Sequence, residues 1–172
     1  MKARRARSSD VRAIFELIAG YAQQGLLLPR AEHEIRKNIS HFLVHEDKKR
    51  VVSCVALESY GSDLAEIRSL AVDSEFRGRR AGTKLLEFAL AEARRCGIAR
   101  VFAVTHAPEF FVRQGFEPTS RLTLTEKVER DCRACPKRRS CQLVAVIATV
   151  IPERAALPIL SESSTPISIS AA

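Results

Sequence analysis

Apolar residues recur along this chain at two periods, and the switches between them mark out its elements. Val11, Ile14, Phe15, Ile18 and Tyr21 fall at helical spacing behind Asp10, a residue suited to capping a helix start, which predicts a first helix. Before it, Arg4 to Arg7 is expected as a short first strand, and after the loop Gln24 to Arg30 the polar stretch Ala31 to Asn38 is helix-prone. Three runs of strand length follow, near Phe42 to His45, Val51 to Leu57 and Leu64 to Val72. The charged turn Glu46 to Arg50 and Tyr60-Gly61-Ser62-Asp63 separate them, which is the pattern of an antiparallel meander. Leu85, Leu86, Ala89, Leu90 and Ala93 then share one face of a strong helix that Gly97 stops. Val101 to Thr105 reads as a short buried strand and Pro108 to Gln114 as a short helix. Gly115-Phe116 turns into a further strand, and Leu143 to Ile151 is expected as a fully buried run that closes the sheet.

Early strands, one central helix between two strands and a late strand predict a mixed α/β or α+β sheet. Residues 1–151 are expected as one domain. The segment 152–172, with Ser161, Ser163, Ser164, Ser168, Ser170, Pro158 and Pro166, reads as a flexible tail.

At 172 residues, 46% hydrophobic and 28% charged, the chain has the balance of a globular domain and not of a disordered, collagenous or disulfide-stapled one. Its longest apolar run, Leu143 to Ile151, is far short of the roughly 20 residues of a membrane-spanning helix. The basic start Met1 to Arg7 leads into Ser8-Ser9-Asp10 and not into an apolar signal core, so a cytoplasmic protein with no membrane partner is expected. A net charge of +8 favours anionic partners such as a polyphosphate, a dicarboxylate or a nucleic acid. The basic residues are scattered, however, and with no Trp and two Tyr the chain offers no base-stacking platform, so nucleic acid is not the expected partner.

Arg77-Gly78-Arg79-Arg80-Ala81-Gly82 lies between the third strand of the meander and the strong helix. Unpaired first-turn amides, the positive end of the helix dipole and small residues make such a turn an anion site. It has neither the Gly-Lys-Ser/Thr of a Walker loop nor the glycine spacing of a dinucleotide fingerprint. The plainer alternative is an ordinary strand-to-helix connection with solvated arginines.

Leu70-Ala71-Val72, then Arg77 to Gly82, then Phe110-Phe111 followed by Gly115-Phe116, resemble the central motifs of the GNAT superfamily of acetyl-coenzyme A-dependent N-acetyltransferases, over roughly Ala3 to Ile151. That resemblance implies a mostly antiparallel, twisted sheet of six or seven strands, splayed at the cofactor site and flanked by about four helices. It implies that acetyl-coenzyme A meets Leu70, Ala71 and Val72 through backbone groups, that Arg77, Gly78, Arg79, Arg80, Ala81, Gly82 and Thr83 hold its diphosphate, and that Phe110 and Phe111 border it. Gly25-Leu26-Leu27-Leu28-Pro29-Arg30, Glu66-Ile67-Arg68-Ser69-Leu70-Ala71-Val72 and Cys132-x-x-Cys135-Pro136 with Cys141 are similar to the short, stand-alone amino-acid N-acetyltransferases that make N-acetylglutamate in arginine biosynthesis. Gln142 departs from the acidic residue that follows the last cysteine in many of these.

The resemblance implies Glu66 as general base, directly or through water, although the same residue is spaced to pair with Arg68 on one strand face. The tyrosine that protonates the leaving thiolate in most of the superfamily is replaced by Phe111. The hydroxyl implied instead is Thr105, by a hydrogen bond to sulfur or to a relaying water; equally, Thr105 is placed to cap the helix near Pro108. A glutamate substrate needs cationic or multi-donor partners. Arg30, Arg68, Ser69, Arg138 and Ser140 match such positions, with Lys127 and Arg130 in reserve. Cys132, Cys135 and Cys141 have spacing that would suit zinc or an iron–sulfur cluster, but the fourth ligand is missing, so no metal is expected. The alternative is a reduced cluster that packs a loop or forms a redox-sensitive disulfide. The enzyme reading therefore stands beside acetylation of another amino acid, a polyamine or a protein N-terminus, and beside a coenzyme A-binding module with weak catalysis. A homodimer is left open.

Overall fold

The charged turn between the first two runs of the meander closes with Lys48 and Lys49 at φ +47° and +68°, the left-handed pair that a two-residue hairpin needs. It joins β2 (Phe42–Asp47) to β3 (Arg50–Ser59), and β4 (Leu64–Val72) continues the meander. In a computed structural model, which describes residues 1–135 and 138–150, seven strands form one sheet. β1 (Lys2–Arg5), β5 (Arg100–Thr105), β6 (Glu117–Thr119) and β7 (Val144–Thr149) complete it in the order β1-β2-β3-β4-β5-β7-β6. Among the described residues the only parallel pair is β4 with β5, because the long helix α3 (Ala81–Arg95) crosses between them.

That parallel pairing is short. It runs from Leu64↔Arg100 to Ile67↔Ala103 and stops, while β4 continues to Val72 and β5 to Thr105. The sheet parts at this point, as the sequence resemblance implies. On its other side β4 carries a bulge: Ala56 pairs with Arg68 and Cys54 with Ala71, so Ser69 and Leu70 together face Val55. Ser69 absorbs the extra residue at φ +52°. The side-chain alternation slips with it. Ile67 packs under α3, Leu70 returns to that same side, and Ala71 goes to the opposite core.

Each face has its own core. One holds Leu85, Leu86, Ala89 and Ala93 of α3 with Phe111 of α4 (Pro108–Val112) and Phe116. The other holds Val11, Ile14 and Ile18 of α1 (Val11–Gln23) with Ile35 of α2 (Glu32–Lys37). A third cluster of Tyr60, Leu64, Phe102, Leu124 and Ala145 lies under the segment that carries the one-turn helix α5 (Thr125–Lys127). Among the described residues no helix is long and apolar enough to cross a membrane.

Three expectations shift. The first strand is Lys2–Arg5, two residues earlier, because Arg4 reaches across to Glu46 and Asp10. Asp10 does not cap α1; its carboxylate accepts from the Arg7 amide at 2.7 Å and from the Arg4 guanidinium at 2.7 and 3.0 Å. The last run is not buried throughout, since Val144 is 40% exposed, and it lies between β5 and β6 and does not close an edge. Residues 152–172, expected as a flexible tail, lie outside the described residues.

The left-handed φ of Ser69 gives a stability test. Ser69→Val places a β-branched side chain there and is expected to cost about 1–2 kcal/mol in urea unfolding, whereas Ser69→Gly is expected to stay within about 0.5 kcal/mol of the parent chain.

Candidate active site

The turn before α3 forms an open cradle of backbone amides. After the short turn Ser74–Phe76, whose start the Asp73 carboxylate caps through the Glu75 amide, Gly78 sits at φ +74° and Arg80 at φ +58°. The last backbone bonds before the turn are Phe76 N–H to Asp73 O and Arg77 N–H to Ser74 O, and the first after it is Lys84 N–H to Arg80 O. Among the described residues the amides of Gly78, Arg79, Arg80, Ala81, Gly82 and Thr83 are therefore not spent on protein acceptors, at the positive end of a helix of 15 residues. Gly82 lies beside Val72 and Phe110. A Cβ on it would meet Val72 at 3.5 Å and the Phe110 ring at 3.7 Å.

Arg77 folds back over the Tyr21 ring, 5.1 Å from its centroid, and donates from Nε to the Tyr21 hydroxyl at 3.3 Å. That hydroxyl donates to the Val72 carbonyl at 2.8 Å and accepts from the Val72 amide at 3.4 Å. Tyr21 thus satisfies the backbone of β4 on the free edge where the sheet has parted. Of the aromatic pair, Phe110 borders the fork. Phe111 turns into the core, edge-on to Phe110 and Phe116 at 5.1 and 5.3 Å. Thr105 Oγ1 accepts from the Ala107 amide at 3.0 Å, so it braces the start of α4 while its own proton stays available.

Below the fork, on the face opposite α3, lies a buried polar cluster. Glu66 is 3% exposed, and its Oε2 accepts from Lys127 Nζ at 2.9 Å, lies 2.9 Å from the Tyr60 hydroxyl and 3.5 Å from Arg68 Nε. Asp131 Oδ2 is 2.6 Å from the same Tyr60 hydroxyl, 2.6 Å from Lys127 Nζ and 3.3 Å from Arg68. Burial alone would raise the Asp131 carboxyl, but the hydrogen bonds from Lys127 and Tyr60 and the charges of Lys127 and Arg68 bring it down to about 2. Burial, and then the Glu66 charge, push the Tyr60 hydroxyl well above the usual phenol range. Arg68 loses charge stability to burial, yet Glu66, Tyr60 and Asp131 hold its guanidinium above the ordinary value. Arg130 lies 3.5 Å over the Tyr60 ring and bonds Glu58 at 3.0 Å.

Arg30 differs from these. Its Nε donates to Ser69 Oγ at 3.1 Å, and among the described residues no carboxylate lies within salt-bridge distance of it. Burial, and then the neighbouring Arg68 charge, hold its guanidinium below the ordinary value. Glu66, Arg68, Ser69 and Arg30 therefore come together, as expected. Ser140 is exposed in the turn Arg138–Ser140, and the Arg138 side chain lies outside the described part. Cys132, Cys135 and Cys141 are half-buried free thiols, and among the described residues no group of three or more His, Cys, Asp or Glu is arranged to hold a metal ion.

Tyr60 and Asp131 escape a reading of the sequence. Tyr60 opens a Gly-Ser-Asp turn and reads as turn chemistry. The only signal for Asp131 is its i,i+4 spacing from Lys127, in a stretch whose wide turn, Arg133 N–H to Val128 O, has no sequence signature.

Residues 10–116 match the model of the Acetyltransferase (GNAT) family. An uncharacterized N-acetyltransferase of Chlorobaculum tepidum is 39% identical over 147 residues, which cover 86% of this chain and 95% of that protein. The amino-acid acetyltransferase of Mycobacterium tuberculosis is 37% identical over 76% of this chain and 77% of its own length. Among solved structures, N-acetylglutamate synthase from Neisseria gonorrhoeae, complexed with coenzyme A and N-acetyl-glutamate, superposes with a TM-score of 0.80 at 29% identity. The match covers 87% of this chain but only 35% of that one, so this chain spans about a third of it.

The ion cluster predicts an acid-dependent stability. Because the folded Asp131 carboxyl lies near 2, below its ordinary 3.8, its contribution is complete above pH 4 and is lost as pH falls toward 2. The difference in urea unfolding free energy between the parent chain and Asp131→Asn should therefore narrow across that window and stay constant above it.

Proposed function

The chain belongs to the acetyltransferase (GNAT) family, and from that premise we propose that it transfers the acetyl group of acetyl-coenzyme A to the α-amine of L-glutamate. Bound in the fork, the cofactor supplies a thioester carbonyl whose carbon is open to attack by a neutral amine. The amides of Gly78 to Thr83 fit its diphosphate, since they are unspent and ring a helix start with three arginines beside it.

The observation that carries the acceptor reading is the charge balance on the opposite face. Arg68, Lys127 and Arg130 are matched by Glu58, Glu66 and Asp131, all linked by ion pairs of 3.6 Å or less. Arg30 stands beside them without a carboxylate, half-buried and aimed by Ser69. A substrate carboxylate answers that surplus, whereas a polyamine would meet carboxylates that are already paired. Glu66 is the proton acceptor for the substrate amine. Its Oε2 is held by Lys127, while Oε1 takes no hydrogen bond among the described residues and is not sealed from solvent. The free hydroxyl proton of Thr105, at the end of β5, is the donor we assign to the departing sulfur or to a water between them. With that acceptor the chain would serve arginine biosynthesis, and the relatives named amino-acid acetyltransferase support an amino acid as the acceptor.

A thiol-release assay with each common amino acid checks this. L-Glutamate is expected to stimulate release selectively. Glu66→Gln is expected to lower kcat by about a hundredfold or more. Arg30→Ala should raise KM for glutamate about tenfold to a hundredfold, as the loss of a charge-assisted bond implies, with little change in KM for acetyl-coenzyme A. Release that no amino acid stimulates would overturn the acceptor assignment.

A further inference from the structure

Two carboxylates share one hydroxyl in the buried cluster. Tyr60 lies 2.9 Å from Glu66 Oε2 and 2.6 Å from Asp131 Oδ2, and a phenol has a single proton to give. Given to the nearer oxygen, that proton goes to Asp131 and leaves the Tyr60 oxygen, to which Lys127 Nζ donates only at a long 3.4 Å, with a lone pair facing Glu66. The contact becomes a hydrogen bond only when Glu66 carries a proton. The arrangement is therefore complete in the state that follows proton uptake by Glu66. Asp131 opens the way out, since its side chain is 26% exposed against 4% for Glu66.

We propose that Tyr60 and Asp131 form a proton exit for the acetyl-transfer reaction, carrying the substrate's proton from Glu66 to solvent. The inference rests on Glu66 as the proton acceptor. Glu66 takes the amine proton on its open oxygen, Oε1, and a half-turn of the carboxyl group brings that proton to the Tyr60 oxygen. As Tyr60 accepts it, the phenol's own proton moves to Asp131 Oδ2, and Asp131 releases a proton to water. One proton enters at Glu66 and one leaves at Asp131, so Tyr60 ends as a neutral phenol and both carboxylates are regenerated.

The surroundings favour transit over storage. Tyr60 is held edge-on to Phe102 at 5.4 Å and under Arg130 at 3.5 Å, which fixes its hydroxyl between the two acids. Lys127 from α5, Arg68 from β4 and Arg130 with Glu58 from β3 are the other charges facing the path. The three cations oppose a resting proton on Asp131 and speed its release. Tyr60 and Asp131 are thus positioning residues of this path and act through Glu66.

The test is thiol release with L-glutamate, or with whichever amino acid the parent chain prefers, on Tyr60→Phe, Asp131→Asn, Asp131→Glu and Glu66→Gln. Tyr60→Phe and Asp131→Asn are each expected to lower kcat about tenfold or more with both KM values within twofold. Asp131→Asn should regain rate as imidazole or phosphate buffer is raised at fixed pH and ionic strength, Asp131→Glu should recover most of kcat, and the parent chain should ignore the buffer. Unchanged kcat in Tyr60→Phe and Asp131→Asn, or a loss that buffer and Asp131→Glu both fail to restore, overturns the relay. If Tyr60→Phe does not fold, Asp131 on the exposed side decides alone. Should Glu66→Gln keep the parent kcat, the base assignment falls and the relay with it; should Glu66→Gln fail while Tyr60→Phe and Asp131→Asn turn over normally, only the relay falls.

Discussion

Everything at this site depends on the point where β4 and β5 stop pairing. Four residue pairs hold the strands parallel, from Leu64↔Arg100 to Ile67↔Ala103, and beyond them β4 runs on without a partner on that side. An unpartnered strand edge within a sheet leaves backbone donors and acceptors that need another answer. At Val72 the Tyr21 hydroxyl supplies it, and Tyr21 is itself capped by Arg77 from the cradle. The parting and the anion turn are thus mechanically joined, through one side chain of α1 that belongs to neither.

The bulge at Ser69 and Leu70 is the second half of the same device. Without the extra residue, Leu70 would follow Glu66 and Arg68 onto the acceptor face, and an apolar side chain would stand where Arg30 now approaches. With it, Leu70 returns to the α3 core. The hydroxyl of Ser69 is left to hold Arg30, and the left-handed φ is the local strain that this re-aiming requires.

The meander, the central helix and the cradle are legible in the sequence because they rest on local signals: alternation, apolar spacing behind a start, and a glycine turn between a strand and a helix. β4 falls at Leu64–Val72 as its apolar run predicts. The acceptor face is legible only where a motif carries it, as at Glu66, Arg68 and Arg30. Tyr60, Lys127 and Asp131 are brought together from positions more than sixty residues apart in the chain, apart from the last two. No periodicity encodes a contact of that separation, and the wide turn that presents Asp131 departs from the regular period altogether. Phe111 fails for the opposite reason: the motif places it in line with the fork, but packing against Phe116 draws the ring into the core.

The cluster also bears on why so much charge is buried here. Replacing a buried, matched ion set by apolar residues is often neutral or stabilising, so stability alone does not account for keeping Glu66, Lys127, Arg68 and Asp131 together. The role proposed for Glu66, a proton acceptor at 3% exposure, offers a reason. Lys127 pairs with Glu66 through one oxygen, and Asp131 balances the charge that Lys127 and Arg68 would otherwise leave. Each member is accounted for by a direct ion pair until Arg30 is reached, which among the described residues has no carboxylate within salt-bridge distance and feels Glu58, Glu34 and Glu66 only from further off. An arrangement that spends its carboxylates on its own cations, and leaves one guanidinium without a direct partner, is the electrostatic basis of the anionic acceptor proposed above, before any fit of shape is considered.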